Sequence, residues 1–277
     1  MQMARHIQAG FRLGVFLLFT MICMPVYSFS RSPGQQRRVA EFWFRSVNHI
    51  VGLKLRAYGY VHRDGPVLYV ANHVSYLDIL VLGAMVDAVF VAKHDVAGWP
   101  LFGRLARMRQ CVFVTRKAAQ VRSEVEMIRA QLDAGRNVIL FPEGTTGCGG
   151  KLLPFKSALL AAVEGLPQVR VQPVSIAYPD LARGGADTSL AWYGEMAMLP
   201  HLWSVLGRGN APARMQFHPP LTAEEFPGRK ALADACRAHI TGGMGMLLAP
   251  AHVSGADNQT DENSVWDQPS LGQHAAY

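Results

Sequence analysis

Charge and cysteine are what this 277-residue chain has little of: 17% of its residues are charged and four are cysteine. Cys23, Cys111, Cys148 and Cys236 stand far apart without a C-x-x-C pair, which excludes a zinc-finger spacing or a disulfide framework and fits a reducing compartment. Acidic residues are the scarcer sign, 20 against 27 Lys and Arg, for a net charge of +7. Such an excess attracts nucleic acid or an anionic membrane surface through the same Coulomb term. No dense Lys/Arg run or base-stacking signature accompanies it, so no nucleic-acid partner is expected. There is no internal repeat, and no G-x-S-x-G elbow of a serine hydrolase. A phosphate-binding P-loop is excluded as well, because the glycines of "GTTGCGGKLL" are misplaced and Lys151 is followed by Leu152. No second histidine or carboxylate cluster lies at ligand spacing, so neither a metal nor a cofactor is expected.

What the chain has in quantity is apolar surface. Half its residues are hydrophobic, which makes contact with lipid a live expectation. The length suits one sizeable domain with appendages. Residues 13–29, "LGVFLLFTMICMPVYSF", form an uncharged apolar run at the lower end of bilayer-spanning length. A secretory signal would carry the preceding Arg5 and Arg12 and the small Ser28 and Ser30, but Arg31, Arg37, Arg38 and Arg45 follow at once. Clustered cations of that kind stay on the cytoplasmic side, so a retained segment at the cytoplasmic face of the cell membrane is expected, either crossing the bilayer or lying in one leaflet. Residues 39–55 then have the pattern of an amphipathic helix, at a headgroup boundary or packed on the domain.

From residue 53 onward, short apolar runs alternate with amphipathic stretches. "VLYVAN", "VFVAK", "CVFVTR", "NVILFPEG" and "VRVQPVSIAY" read as strands, and "LDILVLGAMV", "WPLFGRLARM", "VRSEVEMIRAQLDAG" and "PFKSALLAAVEG" as helices. Further on, "LAWYGEMAML" and "RMQFHPPL" read as strands, and "HLWSVLG" and residues 229–248 as helices. The expected fold is α/β, a mixed, largely parallel central sheet flanked by helices, with an N-terminal membrane-associated helical segment. The expected divisions are residues 1–52 for that segment, 53–250 for the catalytic domain and 251–277 for a disordered polar tail.

The chemistry concentrates in "NHVSYLD". His73 falls at the carboxyl end of a strand and Asp78 in the first turns of the next helix, with Ser75 an acceptable N-cap. Five positions apart on one helix they would point away from each other, but with His73 in the corner Asp78 reaches back to one imidazole nitrogen. The other nitrogen is then free to take a proton from a hydroxyl. Read alone, the spacing also fits a simple turn and a helix-favouring aspartate. Two further strand ends carry polar groups: "NVILFPEGTT" places Glu143, Gly144, Thr145 and Thr146, where a polar headgroup would sit, and "CVFVTRK" places Arg116, where a guanidinium would hold an anion or stand as solvated charge.

Together these blocks resemble the glycerolipid acyltransferase family, in particular the bacterial lysophosphatidic acid acyltransferases. "NHVSYLD" matches its N-H-x4-D block, "CVFVTR" its strand-plus-arginine block, "VILFPEGTT" its F-P-E-G block and "VQPVSI" its V-x-P-[VI] block, in the family's order. The resemblance implies a membrane enzyme that moves an acyl group from coenzyme A or acyl carrier protein to a lysolipid, with lysophosphatidic acid the default acceptor. It implies His73 as general base, Asp78 as its orienting partner, and Arg116, Glu143 and Gly144 as acceptor-binding groups. The third block ordinarily ends F-P-E-G-T-R, and Thr146 stands where that arginine would be. A neutral hydroxyl there weakens the case for a phosphorylated acceptor and makes a phosphate-free lyso-ornithine lipid a competitor, with Lys156 a compensating cation. A non-catalytic lipid-binding module is the rival from another class.

Overall fold

The computed structural model describes residues 2–115 and 118–250. The tail expected over residues 251–277 and Arg116 therefore lie outside the described residues. The chain opens with a helical hairpin, α1 (Gln2–Phe29) and α2 (Pro33–Val51). The apolar run of the sequence is thus the later part of a 28-residue helix, about 42 Å long at 1.5 Å per residue. Ser32 closes the turn as a capping box: its hydroxyl accepts from the Gln35 N–H, while the Gln35 side chain accepts from the Ser32 N–H. Gly52 ends α2 at φ 87°, a left-handed conformation that glycine adopts without penalty. That stop corrects the expected helix over 39–55, because Leu53 and Leu55 belong to a strand.

The strands are β1 (Leu53–Tyr58), β2 (Val67–Ala71), β3 (Val89–Lys93), β4 (Val112–Val114), β5 (Val138–Leu140), β6 (Arg170–Ala177), β7 (Ala211–Phe217) and β8 (Leu221–Thr222). Between and after them run α3 (Leu77–Met85), α4 (Pro100–Met108), α5 (Val121–Asp133), α6 (Met198–Arg208) and α7 (Arg229–Leu248). They form one sheet in the order β1-β7-β6-β2-β5-β3-β4, with β8 beside β6. Pairings are parallel except where β6 meets β7 and β8. All five residues of β2 are buried, as the uninterrupted apolar run "VLYVA" requires of a central parallel strand. The period of two divides β2 between two cores: Val67, Tyr69 and Ala71 join the cluster under α2, α3 and α6, and Leu68 and Val70 join the cluster under α5 and α7. The mixed, largely parallel sheet expected from the sequence is the one observed.

Three local expectations are corrected. "LAWYGEMAML" is not a strand; Leu190 and Ala191 are buried in an irregular segment held by Trp192 N–H to Val74 O, 3.0 Å, and α6 begins at Met198. Alternating apolar residues arise there because one side of the segment covers the core, with no neighbouring strand. The stretch around "SALLAAV" is a 3₁₀ helix, Ser157–Val163. Ser75 does not cap α3: the cap position is Tyr76, no side-chain cap bond is made, and Ser75 Oγ is buried without a partner.

Candidate active site

The carboxyl ends of β2, β5 and β6 lie side by side, the place where α/β sheets hold ligands. Asn72 fixes the β2 corner by pairing both ends of its amide with Ile176, donating to the carbonyl at 2.8 Å and accepting from the N–H at 2.7 Å. His73 follows, its ring stacked on Phe141 with centroids 4.0 Å apart. Asp78 lies in the first turn of α3, fully buried, with Oδ2 2.7 Å from His73 Nδ1. The same oxygen accepts from the Val74 N–H at 2.7 Å and the Ser75 N–H at 3.0 Å. Oδ1 accepts from the Tyr178 hydroxyl at 2.8 Å.

Besides His73, three donors converge on the Asp78 carboxylate, two backbone N–H groups and the Tyr178 hydroxyl, and a carboxylate oxygen accepts. Nδ1 therefore carries the proton that points to Asp78, and Nε2 presents a lone pair. No hydrogen bond to Nε2 occurs among the described residues, and His73 lines a cavity of about 500 Å³. Burial, reinforced by the Asp78 charge, raises the Tyr178 pKa well above the ordinary phenol range, so the hydroxyl stays a donor.

Glu143 is also buried, and its partners are backbone groups of this chain. Oε1 accepts from the His73 N–H at 2.6 Å and Oε2 from the Leu153 N–H at 2.8 Å. Burial pushes its carboxyl up to about 7, against the lowering effect of those two bonds. It fastens the His73 corner to the loop after β5, where Gly147 N–H also donates to His73 O at 2.8 Å. Gly144 stands at φ 71°. A side chain there would be strained, and its Cβ would lie 3.1 Å from Lys156 Nζ. Lys156 is exposed and lies over this turn, its N–H bonded to Pro142 O at 2.8 Å. Exposed Thr145 and half-buried Thr146 line the cavity beside His73.

The cavity extends from these polar groups between the sheet and the hairpin. Phe16 and Met24 of α1, Trp43 and Val47 of α2, and Leu202 and Leu206 of α6 form its walls. Arg109 also lines it, its guanidinium 2.5 Å from Asp87. The sequence brought His73, Asp78, Glu143, Gly144, Thr145, Thr146 and Lys156 into view, and the structure gathers them at one place. Sequence reasoning missed Tyr178 and the cavity. A tyrosine closing the apolar strand "VQPVSIAY" was the available signal, but only the β2–β6 pairing sets it beside Asp78.

An acyltransferase family model matches residues 53–177. The lyso-ornithine lipid O-acyltransferase of Brucella abortus is 37% identical, over 72% of this chain and 79% of its own length. The corresponding enzyme of Rhizobium meliloti is 38% identical over 70% of each. The 1-acyl-sn-glycerol-3-phosphate acyltransferase of Neisseria meningitidis is 32% identical, over 69% of this chain and 73% of its own. In fold, the chain is similar to the 1-acyl-sn-glycerophosphate (LPA) acyltransferase PlsC of Thermotoga maritima, with a TM-score of 0.64 at 20% identity over 88% of this chain and 94% of that one.

Proposed function

The chain belongs to the acyltransferase family, and from that premise we propose that it acylates the hydroxyl of a lyso-ornithine lipid, drawing the acyl group from a thioester of coenzyme A or acyl carrier protein. The observation that carries the reading is His73 lining an apolar cavity with Nδ1 held by Asp78. Nε2 takes the proton of the acceptor hydroxyl as its oxygen attacks the thioester carbonyl. The carbon–sulfur bond breaks, and the leaving sulfur recovers the proton from the imidazolium, which the Asp78 carboxylate stabilises meanwhile. No acyl-enzyme is required. The apolar walls suit the donor's acyl chain, and water kept from the cavity limits hydrolysis of the thioester.

Two facts favour lyso-ornithine lipid as acceptor. The Brucella and Rhizobium enzymes named for it are 37% and 38% identical to this chain. Thr146 offers one neutral hydroxyl at the place where an arginine would grip a phosphate. Exposed Lys156 supplies a cation for the headgroup carboxylate. Glu143, buried between two backbone donors, serves to position the His73 corner, and it does not meet the acceptor. The second reading is lysophosphatidic acid, favoured by the 32% identity to the Neisseria enzyme. The apolar N-terminal helix and these lipid-synthesising relatives support a membrane-associated protein, and the cations at positions 31, 37, 38 and 45 support its cytoplasmic face.

The test is a paired assay of detergent-purified protein with labelled acyl donor, offering each lysolipid beside His73→Ala. Transfer to lyso-ornithine lipid alone, lost in the variant, is expected. Transfer to lysophosphatidic acid alone overturns the acceptor assignment, and full activity of a folded His73→Ala overturns the mechanism.

A further inference from the structure

The outer side of α1 is apolar along its length. Ile7, Phe11, Leu18, Ile22 and Phe29 are 56–83% exposed at helical spacing, and the helix's charged residues, Arg5 and Arg12, lie off that stripe. Arg12 is turned inward, donating to Leu206 O at 3.1 Å and Val51 O at 3.4 Å. These bonds fasten α1 to the carboxyl ends of α2 and α6. A second apolar surface adjoins the first and comes from a distant part of the sequence. On α6, Leu199 is 71% and Trp203 37% exposed, four positions apart. Trp203 Nε1 donates to His6 Nδ1 at 2.9 Å, and its ring lies 3.7 Å from where a Gly10 Cβ would stand. Trp203 thus abuts the shoulder of α1, beside the exposed stripe. On the adjoining part of the same apolar stripe of α6, Met198, Leu202 and Leu206 line the catalytic cavity.

We propose that α6 is a second membrane-inserted element, seated in the same leaflet as the outer side of α1, and that it forms the wall shared by the leaflet and the catalytic cavity. The proposal rests on the membrane-associated reading above and extends it to a helix outside the N-terminal hairpin. The apolar stripe of α6 is wider than the cavity: one edge of it lines the cavity, while Leu199 and Trp203 on the other edge stay exposed and continue the apolar surface of α1. The indole, with its N–H bonded and the residue 37% exposed, suits the boundary between headgroups and acyl chains. A lysolipid whose tail stays in the leaflet would then reach His73 by passing along α6.

The experiment uses the full chain with vesicles of phosphatidylethanolamine and phosphatidylglycerol, comparing flotation of wild type, Leu199→Glu and Phe11→Glu. Acylation of acceptor in detergent micelles reports that each variant is folded and active. Leu199→Glu should weaken vesicle binding by about tenfold or more while micellar activity stays at the wild-type level. Phe11→Glu should weaken it as well. Loss with Phe11→Glu beside wild-type binding of Leu199→Glu overturns the assignment of α6 and leaves that of α1 standing. Wild-type binding of both overturns the membrane reading itself. In vesicles with lipids brominated on the acyl chain, Trp203→Phe should lose part of the quenching seen in wild type; equal quenching overturns insertion of α6.

Discussion

The two faces of the sheet are built from the same alternating strands and put to opposite uses. Toward α5 and α7 the space is filled: Ile128, Leu132, Leu160, Val171 and Ile240 are 0–1% exposed and interlock across the sheet. Toward α1, α2 and α6 the core is left open around a cavity of about 500 Å³ that ends at His73. The long helices differ in the same way on their outer sides. α7 shows Arg229, Lys230, Asp234 and Arg237 to solvent, whereas α1 shows Ile7, Phe11 and Leu18. One face carries the stability of the fold and meets water; the other holds the chemistry and, in the proposed function, meets lipid.

The hardest test of that division is His73→Ala. Removal of the base should cost about 10² to 10⁴ in turnover and lower the urea midpoint only modestly, because the ring, 15% exposed, packs on Phe141 and its loss leaves Asp78 its backbone and Tyr178 donors. A large fall in stability with this variant would mean that the cavity face also carries the fold. The converse substitution is Leu132→Ala on α5, where a fully buried side chain leaves a void that close packing cannot fill. It should cost about 2–5 kcal/mol of stability with turnover preserved below the unfolding transition. Leu80→Ala, on the cavity wall, removes atoms that already face open space. It should cost about 1 kcal/mol and change acyl-chain preference in a competition among donors of different length. Equal stability losses for the two leucine variants would erase the distinction between the faces.

The dyad was legible in the sequence because its geometry is local: a strand end, a corner and a first helical turn place Asp78 against His73 whatever the rest of the fold does. The strands were legible where burial on both faces made them uniformly apolar, as in β2. β1 was not, since its exposed Lys54 and Arg56 blend with the amphipathic pattern of α2 until Gly52 breaks it. Tyr178 was hidden by distance, 100 residues along the chain from Asp78. Glu143 was visible as a carboxylate at a strand end, but its bonds to the His73 and Leu153 N–H groups depend on how two loops meet. The cavity has no sequence signature, because the residues lining it are apolar in the same way as those that fill the other core.

Tyr178→Phe sharpens the comparison on the cavity face alone. The ring is retained, so packing and the urea midpoint should hardly change, while Asp78 Oδ1 loses its donor. A hydrogen bond to a charged group is worth about 1.5–3 kcal/mol, so turnover should fall about 10- to 100-fold with KM for the donor unchanged. Tyr178 is a positioning residue, and a readout that mere packing would not move is the pH profile. With one donor fewer, the Asp78 charge holds the imidazolium more strongly, and the acidic limb of the profile moves to higher pH. An unshifted limb at unchanged turnover would sink the role.

The smallest effect separates the two faces by sign. On the filled side His218 accepts the burial that lowers its pKa from 6.5 to about 4, beside His239 and hydrogen-bonded to Ser175. Between pH 4 and 6.5 the unfolded chain therefore binds the extra proton, and this group makes stability rise with pH. On the cavity side Glu143 is pushed from 4.5 to about 7. Between those values the folded chain holds the extra proton, and this group makes stability fall with pH. From pH 4.5 to 6.5 the two slopes oppose each other, so wild type should vary little on their account. Glu143→Gln should leave the rise exposed and His218→Gln the fall, each read from urea midpoints across that window. Parallel profiles for wild type and both variants would mean that neither group titrates with its face, and that the division between a filled and an open side does not extend to their protons.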